Sequence, residues 1–103
     1  MKVVFHLDEM EKWPLTLANV NNFLAADPDA EIIVLANAIA VKGFVESKEE
    51  LIALEEKVQF SACSNALTNF KIDYEQVSEN VRIEPGVYTL AKLQHEGYAY
   101  IRP

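Results

Sequence analysis

Apolar positions in this chain come in two kinds of run. Some are short blocks with almost no polar residue, and others are longer stretches in which they recur every three or four residues. The block Lys2-Val-Val-Phe-His-Leu7, closed by Asp8-Glu9, is β-branched and aromatic and predicts a buried first strand. Met10, Trp13, Leu17, Val20 and Leu24 then form one stripe, which predicts a helix from about Lys12 to Ala26 with Pro14 in its first turn and Asp27-Pro28-Asp29 at its end. Asn19, Asn21 and Asn22 on that helix are expected to be solvated. Glu31 to Ala36 is nearly all apolar without alternation, the pattern of a strand covered on both faces, and so points to a parallel sheet.

An apolar loop, Asn37 to Val45, follows and must pack on something. Ser47 with Glu50 matches a capping box, and Leu51, Leu54 and Val58 continue at helical spacing, predicting a second helix over about Lys48 to Lys57. Its residues Glu49, Glu50, Glu55 and Glu56 read as a solvated face and not as a metal site. Val58 to Ala62 is the expected third strand and Ser64 to Phe70 a short helix, with Cys63 at the seam. Asp73 and Gln76 suit a capped turn over Tyr74 to Ser78, and Val81 to Glu84 a fourth strand. Pro85 at its start, the stripe Val87, Leu90, Leu93 and Gln94, and Gly97 at its stop mark a last helix before a fifth strand, Tyr98 to Ile101. With no repeat or linker in it, this alternation predicts a single α/β domain over residues 1–103, an open parallel sheet with helices on both faces.

Composition narrows the partners. A chain of 103 residues, 50% hydrophobic, buries one modest core, so association through a remaining apolar face would help it, and a homo-oligomer is expected. The formal charge of −7 repels nucleic acid phosphates and anionic lipid, so neither nucleic acid nor a membrane is an expected partner. One cysteine forms no internal disulfide, the start Met1-Lys-Val-Val-Phe-His6 carries no signal-peptide pattern, and no apolar run approaches ~18 residues. A cytoplasmic location is the expectation.

Chemistry in open α/β sheets gathers beyond the carboxyl ends of the strands. The residues there are Asp8 and Glu9, Asn37 and Ala38, Cys63 with Ser64 and Asn65, and Glu84 with Pro85 and Gly86. Among them only Cys63 is a strong nucleophile, and its place between strand and helix suits a sulfur anion, because first-turn N–H groups lack intrahelical partners. The competing reading makes Cys63 a small apolar residue closing a strand. Asp8 and Glu9, if near, would oppose an anion there, and Lys42 alone is placed to offset them. His6, inside the first strand, reads as a hydrogen-bonded core or interface group, and His95, near the end of the last helix, as a surface residue. The histidines and cysteine lack metal-ligand spacing and the glycines are scattered, so no metal and no nucleotide cofactor is expected.

Taken together, Val4-Phe-His-Leu-Asp-Glu9, Asn19-Val20-Asn21-Asn22, Glu31 to Asn37, Val58 to Asn65, Pro85-Gly86-Val87 and Leu93 to Ile101 resemble the DsrE/DsrF-like family across nearly the whole chain. Ala62-Cys63-Ser64-Asn65 and Gln94 to Ile101 are the most specific parts. The resemblance implies a three-layer α/β/α sandwich with a mainly parallel five-stranded sheet and homo-oligomers, trimeric or hexameric. It also implies, at Cys63, a cysteine that carries sulfur as a persulfide between donor and acceptor proteins. Ser64, Asn65, Asn37, His6 and Asp8, read from the strands and their ends, are the candidate binding residues around it. Many relatives have Asn-Gly where this chain has Asn37-Ala38, and alanine resists positive φ, so a different turn is expected there. Two functions follow from the sequence: a persulfide carrier acting through Cys63, or a non-enzymatic oligomeric binding subunit. In the second, Cys63 is structural and Val41 to Val45, Tyr98 and Tyr100 make subunit contacts.

Overall fold

Strands β1 (Lys2–Leu7) and β2 (Glu31–Ala36) are buried at every position but their first, as expected for strands flanked by a neighbour on each side. The computed structural model describes residues 1–103. With β3 (Gln59–Cys63), β4 (Arg82–Glu84) and β5 (Ala99–Ile101) they form one sheet in the order β4-β3-β2-β1-β5, and every pairing is parallel. The helices are α1 (Trp13–Ala26), α2 (Gly43–Glu46), α3 (Lys48–Ile52), α4 (Ser64–Asn69) and α5 (Gly86–His95).

Strand order and handedness decide which face each helix covers. From β1 to β4 the chain steps in one direction across the sheet, and right-handed crossovers place those connections on one face. The last connection returns across the whole sheet to β5, so α5 lies on the opposite face, over β2 and β3. The two faces are covered very unequally. Val3, Phe5, Ile32, Val34, Phe60 and Ala62 pack under α1 to α4 in a core of 21 buried residues, whereas Val4, Ile33 and Leu35 join Leu90 and Leu93 of α5 in a cluster of 5, with Tyr98 against it. The large core therefore carries most of the hydrophobic stabilisation.

The apolar loop is part of that large core. Residues Ala38–Lys42 form a 3₁₀ turn that runs into α2, and Ala40, Val41 and Phe44 are fully buried against the sheet. Val41 and Phe44 therefore fill their own subunit, which corrects the reading of Val41 to Val45 as a contact surface. Trp13 holds the loop down: its Nε1–H donates to the Ala40 carbonyl at 2.9 Å, and its ring meets Phe44 edge-on with centroids 5.4 Å apart. Gly43 lies directly against the indole, and a methyl there would overlap the ring.

Two other expectations are revised. The second helix stops at Ile52, and residues 53–57 are tight turns in which Leu54, Glu55 and Lys57 each donate to the carbonyl three residues back. Those turns bring the chain back to β3 while keeping Leu51 in the core and Leu54 against it. Ser47 makes no capping hydrogen bond, so the Ser47/Glu50 box is not formed. On α1, Thr16 and Phe23 join the stripe. Thr16 turns its Oγ1 back to the Lys12 carbonyl at 2.8 Å, and Phe23 meets Phe5 edge-on.

Gly43→Ala is expected to lower the unfolding free energy by about 1–3 kcal/mol, the usual cost of overpacking. The urea midpoint followed by fluorescence of Trp13, the only tryptophan, measures this directly. A midpoint equal to wild type would show that the loop yields to the methyl.

Candidate functional site

Cys63 is the last residue of β3, extended at φ −66° and ψ 118°, and the chain passes from it into α4 on the large-core face. On the adjacent strand, Glu84 sits opposite Cys63 in register, and from it the chain passes through Pro85 into α5 on the other face. Neighbouring strands whose exits part to opposite faces open a crevice between them. Cys63 stands in that crevice, between the first turns of two helices. Gly86, the first residue of α5, is pressed against it. A Cβ on Gly86 would lie 3.0 Å from the cysteine Cβ, 3.1 Å from Sγ and 3.4 Å from Asn37 Cβ, so glycine is what lets this backbone pass the thiol. The cysteine is 7% exposed.

A hydrogen-bonded row runs across the sheet toward this crevice. His6 is buried on β1, on the face α5 shares, and its Nε2 lies 2.9 Å from Asn37 Oδ1 at the end of β2. Its Nδ1 is hydrogen-bonded to the Tyr100 hydroxyl on β5. With the Asn37 oxygen accepting, Nε2 carries the proton, and in the neutral ring Nδ1 accepts from the tyrosine. Tyr100, His6 and Asn37 thus satisfy one another, and Asn37 ends the row against Gly86 and Cys63.

The turn after Asn37 departs from what alanine suggests. Ala38 takes the left-handed conformation at φ +50°, so the chain turns there as a glycine would allow, at the expense of strain in a residue with a Cβ.

Of the candidates read from the sequence, His6 and Asn37 are joined to each other, and Asn37 reaches Gly86 beside Cys63. Ser64 and Asn65 open α4 directly after the cysteine, and neither side chain hydrogen-bonds within the subunit. Asp8 is not part of this group. Its two oxygens accept from Arg102 at 2.9 and 3.1 Å, tying the segment after β5 to the end of β1, while β2 lies between β1 and the cysteine strand. The Asp8 hydrogen bond, aided by one with Tyr100, holds the Arg102 guanidinium above its ordinary pKa. Lys42 is also committed elsewhere, over the Phe70 ring at 5.4 Å.

Sequence reasoning had assigned Tyr100 to subunit contacts. Its partnership with His6 depends on β5 pairing with β1 in the register Val4↔Tyr100, which no local pattern announces. No group of three or more His, Cys, Asp or Glu side chains is arranged to hold a metal ion. No helix is long and apolar enough to cross a membrane.

Comparison with known proteins agrees with this geometry. The model of the DsrE/DsrF-like family matches residues 15–103, a span that includes Asn37, Cys63 and Gly86. Among solved structures, a protein of unknown function from Methanobacterium thermoautotrophicum is 33% identical, with a TM-score of 0.91 over 99% of this chain and 98% of its own. No curated protein matches the chain.

Because Ala38 is exposed and left-handed, Ala38→Gly is expected to raise stability by up to about 1 kcal/mol and Ala38→Val to lower it by at least as much. Denaturant midpoints of the three proteins should fall in the order Gly, Ala, Val. Valine ranking above alanine would contradict a left-handed residue at this turn.

Proposed function

The chain belongs to the DsrE/DsrF-like family, which is associated with sulfur relay, and from that premise we propose that it carries sulfane sulfur as a persulfide on Cys63. The observation that supports this best is the placing of Cys63 Sγ in the crevice between β3 and β4, against a glycine backbone and between two helix starts. In the loading step the Cys63 thiolate attacks the outer sulfur of a donor persulfide, R–S–SH. A new S–S bond forms to Cys63, the donor S–S bond breaks, and its electron pair leaves on R–S⁻ while the proton stays with the transferred sulfur. Delivery is the same exchange with an acceptor thiolate attacking the outer sulfur, so neither step needs an external oxidant or reductant.

Each neighbour has a part in this scheme. First-turn N–H groups of α4 and α5 donate to the sulfur anion. Gly86 leaves the space that an outer sulfur needs. Ser64 and Asn65, free of internal hydrogen bonds, shape the mouth, and the row Tyr100, His6, Asn37 holds the opposite wall rigid. Donor and acceptor are thiol proteins or small persulfides that reach into the crevice, and the carrier works as a homo-oligomer, trimeric or hexameric.

A second reading, an oligomeric binding subunit with a structural cysteine, draws on the burial of Cys63 and on Val87 and Tyr88, which are 75% and 69% exposed beside it on α5. The two readings part on one experiment. The reduced protein is treated with inorganic polysulfide, freed of excess, alkylated and weighed by mass spectrometry. A carrier gains the mass of one sulfur atom on Cys63, releases it to dithiothreitol, and loses this capacity in Cys63→Ser and, through the crowding methyl, in Gly86→Ala. An unloaded Cys63 in folded wild-type protein would sink the carrier reading and leave the assembly one.

A further inference from the structure

The sparsely covered face of the sheet holds a second feature, next to the crevice but without the thiol in its lining. Between α5 and the strands beneath it lies a cavity of about 140 Å³ whose lining includes neither Cys63 nor any residue of α4. Its floor is buried, with Ile33 and Leu93 supplying apolar surface and Ser61 and Thr89 supplying hydroxyls. Four charged side chains stand around it, Arg82 and Glu84 from β4, Lys92 on α5 and Glu96 at the cap that ends α5.

Two observations set this cavity apart from an ordinary packing gap. Ser61 is 1% exposed, lines the cavity, and its Oγ has no hydrogen-bond partner. Buried hydroxyls are nearly always paired, so an orphan bordering a polar cavity calls for a partner from outside the chain. The four charges are also unspent. The ion pairs within the chain are Met1 with Asp27 and Arg102 with Asp8, and none of the four rim groups has an opposite charge within 4.0 Å. The nearest polar contact among them is Thr89 Oγ1 to Glu84 at 3.5 Å, at the limit of a hydrogen bond.

We infer that this cavity binds a small zwitterion of amino-acid size. Two cations and two anions around one opening suit a ligand that carries one charge of each sign. Its carboxylate meets Arg82 and Lys92, its ammonium meets Glu84 and Glu96, and a polar atom reaches the Ser61 hydroxyl while apolar atoms rest on Ile33 and Leu93. A net anion is disfavoured by the chain's charge of −7, and a net cation gives up the two basic groups. The inference does not rest on the persulfide reading: the cavity adjoins the crevice at Glu84 and Pro85, but Cys63 itself is not in its lining.

The test is a titration of the ¹⁵N-labelled protein with each of the proteinogenic L-amino acids in turn, with propionate and propylamine as single-charge controls. At least one amino acid should shift the Ser61, Thr89 and Lys92 amides saturably, and neither control should do so. Ser61→Ala should weaken that binding about tenfold while leaving the empty protein as stable as wild type or more so, because it removes an unpaired buried hydroxyl. Lys92→Met, on the exposed rim, should weaken it about fivefold. The inference is overturned if no amino acid gives saturable shifts, if propionate or propylamine binds as tightly, or if both variants bind as wild type does.

Discussion

The right-handedness of parallel crossovers is the constraint on which the rest of this structure depends. The chain advances from β1 to β4 in one direction and then returns to β5, so four helices fall on one face and one on the other. The exits of β3 and β4 consequently diverge. Cys63 and Gly86 are neighbours because those two exits are neighbours, and no other adjacent pair of strand ends sends helices to opposite faces.

Unequal coverage of the faces divides the labour between them. The heavily covered face is apolar throughout and is locked by Trp13, whose indole joins α1 to the loop after β2 by a hydrogen bond and by edge contacts with Phe44. Stability resides there. The face under α5 carries the polar side chains of the central strands, His6 on β1 and Ser61 on β3, together with the crevice and the cavity. A single ten-residue helix leaves room for such groups, which a fully covered face would have to exclude or pair.

His6 and Ser61 illustrate two ways of keeping a polar side chain in a buried sheet. His6 is satisfied on both ring nitrogens, by Asn37 just past β2 and by Tyr100 in the middle of β5. That arrangement spans three strands and fixes Asn37 where it borders Gly86. Ser61 has no such partners and borders the cavity. One group is thus spent on positioning and the other is left free, though both alternate in the same sense along their strands.

Much of this was legible in the residues. The apolar blocks, the helical stripes, the parallel class of the sheet and the strand-to-helix position of Cys63 all follow from periodicity and punctuation, since those signals act over a few residues. The end of α3 was not legible, because Leu54 and Val58 keep helical spacing while the backbone tightens into turns to reach β3. Nor was the use of Val41 and Phe44, whose loop looks the same in sequence whether it packs on its own sheet or on another subunit. Asp8 appeared as a site residue until the register placed Arg102 beside it. Tyr100 meeting His6, Gly86 meeting Cys63 and Ser61 opening onto a cavity are contacts between distant segments, decided by strand order and by which face each crossover takes. By itself the sequence determined the elements and the kind of sheet they make, through local propensity and burial pattern. Only the tertiary structure decided which strand ends stand together, because lateral order is settled by the packing of the whole chain.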